Sequence, residues 1–381
     1  MGAQPTMARA RHALVETIPA LMLSAMQPRA EVSLDPAQRI FALQREVLFR
    51  ARAVIFTDLA ELGGIPTWRE ECRQVAMSAR AGAGITRSLG PTVLDAPFAR
   101  VPPEQREYWR IRAPVILAFG ARMHAQLTRL SARPVGDSRL LQASGLFQLT
   151  ASLLDWIADE DGGGAEIKAW LPVAQFSRLD AEPAFRRALV VDSQREARAT
   201  TAAFISLLSA LVERLHEVPS DTTPAFECLR TAYDAELASF EPAPAPAQRS
   251  AIARAKSVAP TLVIGQLACL DVGEDDRERV WRVTTVVSPI FSAIDDLADL
   301  TSDLRAGHTN TICSAAAPVG DAELVGLVRS LIASGAIEEL ARDVAGAVRA
   351  LDSLLRDSAV NARRRGDASR WLRTLIWQWL S

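Results

Sequence analysis

Two stretches of this chain place acids where an apolar helix would bury them. Leu153-Leu154-Asp155-Trp156-Ile157-Ala158-Asp159-Glu160-Asp161 sets Asp155 and Asp159 four residues apart, and the same interval recurs at Asp295, Asp299 and Asp303. Side chains four apart on a helix share a face, at about 5–6 Å from one another. Like charges so placed repel, and burying them without a partner is costly. Either the acids face solvent or a cation joins them. The first set runs into Gly162-Gly163-Gly164, where a solvated helix end is an ordinary outcome; the second follows Val286-Val287-Ser288-Pro289-Ile290-Phe291-Ser292-Ala293-Ile294, which reads as buried. Two such faces on opposite walls of a cavity would offer hard oxygen ligands to Mg²⁺, an ion that keeps several waters and completes its shell with substrate phosphates.

A metal-bound diphosphate also needs cationic side chains. Only Lys168 and Lys256 are lysines among 43 basic residues, and Lys256 lies in an apolar helix that precedes the second acidic segment. It is either a surface lysine or a diphosphate ligand. Arg110 and Arg112, in Tyr108-Trp109-Arg110-Ile111-Arg112, are further candidates, as are Arg305, His308 and Thr309-Asn310 after the second segment. Phe147, Trp156, Phe204 and Phe291 lie near these motifs in sequence. They are either ordinary core or the lining of an apolar cavity whose aromatic faces stabilise a cation.

Composition narrows what such a site could belong to. The 381 residues allow one to three domains, and 49% hydrophobic with 23% charged residues describes a globular chain. Against 43 bases stand 45 acids, so the net charge of −2 gives no overall electrostatic footprint for nucleic acid or an anionic membrane. Cys72, Cys228, Cys269 and Cys313 are widely spaced, with neither a CxxC pair nor histidines at zinc-ligand spacing. That pattern predicts reduced thiols and a cytoplasmic location. Arg9 and Arg11 ahead of the apolar residues 18–26 read as an amphipathic first helix in preference to a signal peptide. No run reaches the 18 or so apolar residues of a spanning helix. Hydrolase, dinucleotide and P-loop signatures are absent from the sequence.

The elements that must hold the acids are helical. Apolar residues recur at helical spacing and two-residue alternation is rare, so the fold class is all-α, in a large multi-helix bundle. Helices are expected over 34–62, 104–131 with a kink at Pro114, 138–161, 184–218, 224–240, 248–270, 275–304, 321–358 and 368–380. The Gly/Pro-rich passage 82–103 reads as a linker or a loop, and 241–247 as a stiff extended connector. Residues 1–100 are then an N-terminal helical extension of the same unit or a small separate one, ahead of a helical domain over 101–381.

Taken together, these motifs resemble the trans-isoprenyl diphosphate synthase and class I terpene synthase superfamily. Lys256-Ser257 is similar to its Lys-Thr helix, and Phe291-Ser-Ala-Ile-Asp295-Asp296-Leu-Ala-Asp299 to its Phe-Gln-x-x-Asp-Asp-x-x-Asp. Asp303-Leu-Arg305-Ala-Gly-His308-Thr309 is similar to the Asp-Leu-x-x-Gly-Lys-x-Thr that follows. Asp155-Trp156-Ile-Ala-Asp159 stands at the place of the first Asp-Asp-x-x-Asp, and Arg110-Ile-Arg112 near that of Gly-Gly-Lys-Arg-x-Arg. The likeness covers roughly residues 103–320. It implies a class I isoprenoid synthase bundle around a central cavity, with Asp155, Asp159, Asp295 and Asp299 binding Mg²⁺, three ions together with the diphosphate. The implied catalytic set is Asp155, Asp159, Asp295 and Lys256. Arg110, Arg112, Lys256, Arg305, His308, Phe147, Trp156 and Phe291 would contact a prenyl diphosphate.

Departures from the family pattern select among its reactions. Trp156 replaces the second aspartate of the first motif, Trp109 stands where an isopentenyl-diphosphate lysine is expected, and His308 replaces a second lysine. On that resemblance most of the allylic, metal-bound site is retained and much of the second diphosphate site is lost. The resemblance therefore implies ionisation of one prenyl diphosphate and cyclisation or rearrangement of the cation. The alternatives are a prenyltransferase (chain-elongating, head-to-head or with an unusual acceptor) and a non-catalytic helical partner of a prenyl synthase. The oligomeric state stays open, a homodimer included.

Overall fold

Local chemistry decides where the helices begin. Asp35 caps α1 (Pro36–Asp58), its carboxylate accepting from the Gln38 amide, and Pro36 occupies the first turn, where no amide donor is required. Thr67 and Glu70 close a reciprocal capping box at the start of α2 (Trp68–Leu89). Prolines again open the short α3 (Pro91–Leu94) and α4 (Pro103–Thr128). Next come α5 (Ser138–Asp159), α6 (Gly164–Trp170), α7 (Val173–Ala181), α8 (Pro183–Glu196), α9 (Ala199–His216) and α10 (Thr223–Ser239). The chain continues with α11 (Pro246–Leu270), α12 (Glu274–Ala298), α13 (Leu300–Ala306), α14 (Asp321–Ser334), α15 (Ala336–Asp357) and α16 (Ala362–Trp379). This is a computed structural model, and it describes residues 35–130, 136–159, 163–239, 246–308, 310–313, 318–357 and 360–381. Among them the protein is all-α, with no strand; the amphipathic segment expected at 18–26 and most of the connector 241–247 lie outside the described residues.

Several expected boundaries move, each for a physical reason. The passage 82–103 does not begin as a linker, because α2 continues through Gly82 to Leu89. Gly82 serves packing: a Cβ there would stand 2.3 Å from the Pro114 carbonyl oxygen of α4, so only glycine lets the two helices approach so closely. The helix expected over 184–218 is two, divided where Ala197 is extended. Glu166 caps the second, accepting from the Arg198 amide at 2.8 Å and the Thr201 hydroxyl at 2.9 Å. The segment 321–358 is divided at Gly335, whose φ of +79° suits glycine. The helix expected over 275–304 breaks at Asp299, inside the acidic motif. Helices α2, α3, α6 and α7 were not among those expected from the sequence.

The packing sets up a triple of helices. α5 lies against α4, α9 and α11, while α11 packs on α5, α10 and α12, so α11 stands between the two acid-bearing helices. On its other side α12 meets α15, α1 and α16. α1 packs on α14 and α15 near the other end of the chain, and one hydrophobic cluster runs from Ile40 to Leu380. The described part of residues 1–100 therefore shares its core with the rest.

A polar network locks the far end of these helices. Buried His124 of α4 places Nε2 3.1 Å from Asp271 Oδ2 and Nδ1 2.9 Å from the Ser144 hydroxyl of α5. The other oxygen of Asp271 accepts from the Asp137 amide at 2.7 Å. The residue types are those of a hydrolytic triad, yet all three side chains are buried, so the network ties α4 and α5 to the α11–α12 junction.

Candidate functional site

The lysine singled out by its rarity sits between two carboxylates from different helices. Lys256 Nζ on α11 is 2.7 Å from Asp155 Oδ1 on α5 and 3.1 Å from Glu236 Oε1 on α10. The Asp155 side chain is 51% exposed and that of Glu236 only 11%, so the ammonium bridges a wet carboxylate and a buried one. Pro260 follows one turn later inside α11, and because it has no amide proton the turn carrying Lys256 lacks one ladder bond.

Asp295 of α12 completes the acidic surroundings. Burial, above all, raises its carboxyl well above the usual range, and the charges of Asp299 and then Asp155 push in the same direction. Asp155 and Asp295 are thus close enough to act on one another, although they belong to separate helices. Among the described residues no three Asp, Glu, His or Cys side chains converge into a ready-made metal cage. Asp159 is the last residue of α5, and its side chain lies outside the described part of the structure, as do Glu160 and Asp161.

The break after α12 has its own support, which the sequence reading missed. From α1, the Gln44 side-chain amide donates to the Leu297 and Ala298 carbonyls at 2.9 and 2.7 Å, and its oxygen accepts from the Thr301 amide at 3.2 Å. One side chain therefore satisfies the terminal carbonyls of α12 and an opening amide of α13. Exposed Asp299 lies at that break. Asp296 turns elsewhere: its carboxylate accepts from the Thr311 hydroxyl, and buried Asn310 donates to the Asp296 carbonyl at 2.7 Å and to Asp303 Oδ2 at 2.8 Å. Burial raises the Asp296 carboxyl as well, against the lowering effect of Thr311. Gln44→Leu removes three hydrogen bonds, and we expect it to cost roughly 1–3 kcal/mol in denaturant unfolding. A cost below about 0.5 kcal/mol would show that the clamp holds nothing.

An apolar pocket adjoins the ion pair. It is lined by Phe147, Leu154, Phe176, Phe204, Tyr233 and Glu236, among others, and leaves about 40 Å³ for the centre of a water molecule. A single buried water needs only about 10–15 Å³ on that measure, so this is a cavity and not a packing defect. Glu236 belongs to both features, since it lines the pocket and holds Lys256. Tyr233 stacks on Phe176 at 4.8 Å and on Phe204 at 6.3 Å, and its hydroxyl donates to the Leu171 carbonyl at 2.6 Å. Burial lifts that phenol far above its ordinary pKa, so it stays protonated.

The structure brings some of the expected residues together and leaves others apart. Asp155, Lys256, Asp295, Asp299, Phe147 and Phe204 belong to the site or its pocket. Phe291 does not line that pocket; it packs on Phe119, Trp371 and Trp379, because its position on α12 faces the C-terminal helix. Trp156 turns one residue away from Asp155, onto Tyr108 at 6.5 Å and Trp109 at 5.8 Å. Trp109 is buried and stacked on Phe98. Arg110 is exposed and pairs with Glu107 at 2.6 Å, while Arg112 donates to the Tyr108 hydroxyl and lies 4.3 Å over its ring. Arg305 pairs with Asp321 at 3.0 Å. His308 donates its backbone amide to the Asp303 carbonyl at 2.8 Å, and Thr309 lies outside the described residues. Glu236, Tyr233 and Phe176 escaped the sequence reading. The spacing Leu229, Tyr233, Glu236 on one helix face was the available signal.

Comparison with family models, with curated proteins and with solved structures finds no match to this chain.

Proposed function

We propose that this protein is a Mg²⁺-dependent class I terpene synthase, which ionises a prenyl diphosphate, cyclises or rearranges the carbocation and releases diphosphate. The observation that carries this reading is the continuity of a charged site with an apolar pocket through Glu236. An amphiphile with a phosphorylated head and a hydrocarbon tail needs that juxtaposition.

The reading requires an ion, and the mutual influence of Asp155 and Asp295 supports a place for it. Burial first, and then the charges of Asp299 and Asp155, hold Asp295 toward its protonated form, so a cation at this place would be favoured. Magnesium often takes only one or two protein carboxylates and completes its shell with water and substrate phosphate oxygens. Asp155, Asp159, Asp295 and Asp299 would hold it, and it would supply electrophilic assistance to the departing diphosphate.

The remaining work falls to the chain. Lys256, held between Asp155 and Glu236, presents its ammonium to the leaving oxygen as the carbon–oxygen bond breaks and both electrons pass to diphosphate. Phe147, Leu154 and Phe204 keep water from the cation, and the Phe176–Tyr233–Phe204 stack faces it with π-electron density. Loss of a proton to the released diphosphate balances the reaction and yields a neutral hydrocarbon. Prenyl transfer to a second diphosphate is less well served, since Trp109 is buried and Arg110 is engaged with Glu107 at the surface.

The test is product analysis with Mg²⁺ and geranyl, farnesyl, geranylgeranyl or geranylfarnesyl diphosphate, each supplied alone. A hexane-extractable hydrocarbon or alcohol with released diphosphate supports the proposal. Product only with an added acceptor moves the reading to a prenyltransferase, and no turnover by folded protein moves it to a non-catalytic partner.

Pocket depth gives a further expectation. Phe147 lies eight residues before Asp155 on α5, about 12 Å along the axis, and so lines the far end of the pocket. Phe147→Ala should shift preference toward a longer prenyl chain, by about tenfold in relative kcat/KM between adjacent lengths. Competition assays with paired substrates read this out, and an unchanged ratio would remove Phe147 from the floor.

A further inference from the structure

Helix α2 buries one face against α4 and leaves another of unusual composition outside. Gln74, Gly82, Ile85 and Leu89 form its buried side. At about 100° per residue, Trp68, Cys72, Val75 and Ala79 fall on one outer stripe, and all four are exposed. Trp68 is 78% exposed and Val75 59%, while Ile65, just ahead of the helix, is 58% exposed. Arg69, Arg73, Arg80 and Arg87 form a second exposed stripe along one edge of the first. The only acids of the helix, Glu70 and Glu71, are partly buried in its first turn, where Glu70 closes the capping box and pairs with Arg370 at 3.0 Å.

We propose that the outer face of α2 is a docking surface for an anionic lipid bilayer. An interfacial helix presents an apolar stripe with tryptophan to the headgroup boundary and basic side chains to lipid phosphates. Here the apolar stripe and the arginine edge lie side by side on a helix whose other face is fixed to the protein. The chain's overall charge of −2 hides the feature, because it sums every residue, whereas this helix carries four arginines against two acids. A second copy packed antiparallel fits this face poorly. Antiparallel docking about a two-fold axis would lay one arginine edge along the other, like charge on like. No described helix is long and apolar enough to cross a membrane, so the contact is peripheral.

The test uses the full chain, in flotation with phosphatidylcholine vesicles and with vesicles containing about one-third phosphatidylglycerol, at low and high salt. The expected result is binding to anionic vesicles at least ~10-fold stronger than to neutral ones, weakening as salt rises. The double substitution Arg73→Glu/Arg80→Glu should abolish binding and Trp68→Ser should weaken it several-fold. Both alter exposed positions, and unchanged thermal melts would show that the fold is kept. Absence of vesicle binding, or equal binding by both variants, overturns the proposal. So does concentration-dependent self-association that Trp68→Ser removes, which would assign the face to a second copy.

Discussion

Asp295→Asn should make the metal-free protein more stable and, on the proposed function, remove turnover of a prenyl diphosphate. Burial and the neighbouring charges of Asp299 and Asp155 raise the Asp295 carboxyl well above its ordinary value of 3.8. Between that value and the raised one, the folded state holds a proton that the unfolded state has released. Stability from this group is therefore full below about pH 4 and is lost as pH rises through the folded value. At neutral pH in EDTA, asparagine removes the repulsion, and the melting temperature should rise by about 2–4 °C. Below about pH 4 the two proteins should melt alike, since the carboxyl is then neutral in both states. Added Mg²⁺ should stabilise the wild type by mass action and leave the variant nearly unmoved. Turnover of a prenyl diphosphate should fall by roughly 10³-fold or more. A variant that is less stable than the wild type in EDTA at neutral pH would contradict the cost assigned to burying the Asp295 carboxylate.

What the sequence disclosed about this site depended on distance along the chain. Helical periodicity marked α5, α11 and the start of α12 to within a few residues, because each is long and carries apolar residues at helical spacing. The four-residue interval between Asp295 and Asp299 was visible too, but the break at Asp299 was not. The clamp that holds it, Gln44, comes from a helix more than 250 positions away, and no local pattern announces such a partner. Glu236 was hidden for a similar reason. An acid on an amphipathic helix reads as solvent-facing until its neighbours are known, and here they are Lys256 and an apolar pocket. Phe291 shows the opposite failure. Its closeness in sequence to Asp295 suggested a cavity wall, yet four residues along a helix carry a side chain about 6 Å up the axis, and this one meets the C-terminal tryptophans instead. Proximity in sequence places residues on the same element and leaves open which neighbour each one meets.

Lys256→Met should cost both stability and turnover, whereas Asp295→Asn should cost turnover alone. Its ammonium lies 3.1 Å from a carboxylate, that of Glu236, whose side chain is only 11% exposed. Removing the cation leaves Glu236 buried beside apolar walls, a loss of roughly 2–3 kcal/mol. Asp155, half in water, should contribute little to that sum. The double variant Lys256→Met/Glu236→Gln should recover most of the stability, because a neutral amide tolerates the site where an unpaired carboxylate does not. A double-mutant cycle in denaturant would then show strong coupling between the two positions. Turnover should stay depressed by about 10²–10³-fold in both variants, since neither supplies positive charge to the leaving group. An ordinary surface lysine would behave otherwise, with a change within about 0.5 kcal/mol and unaltered activity. If stability returned in the double variant and turnover returned with it, Lys256 would be a structural counter-ion for Glu236 alone, and its proposed role at the departing diphosphate would fall.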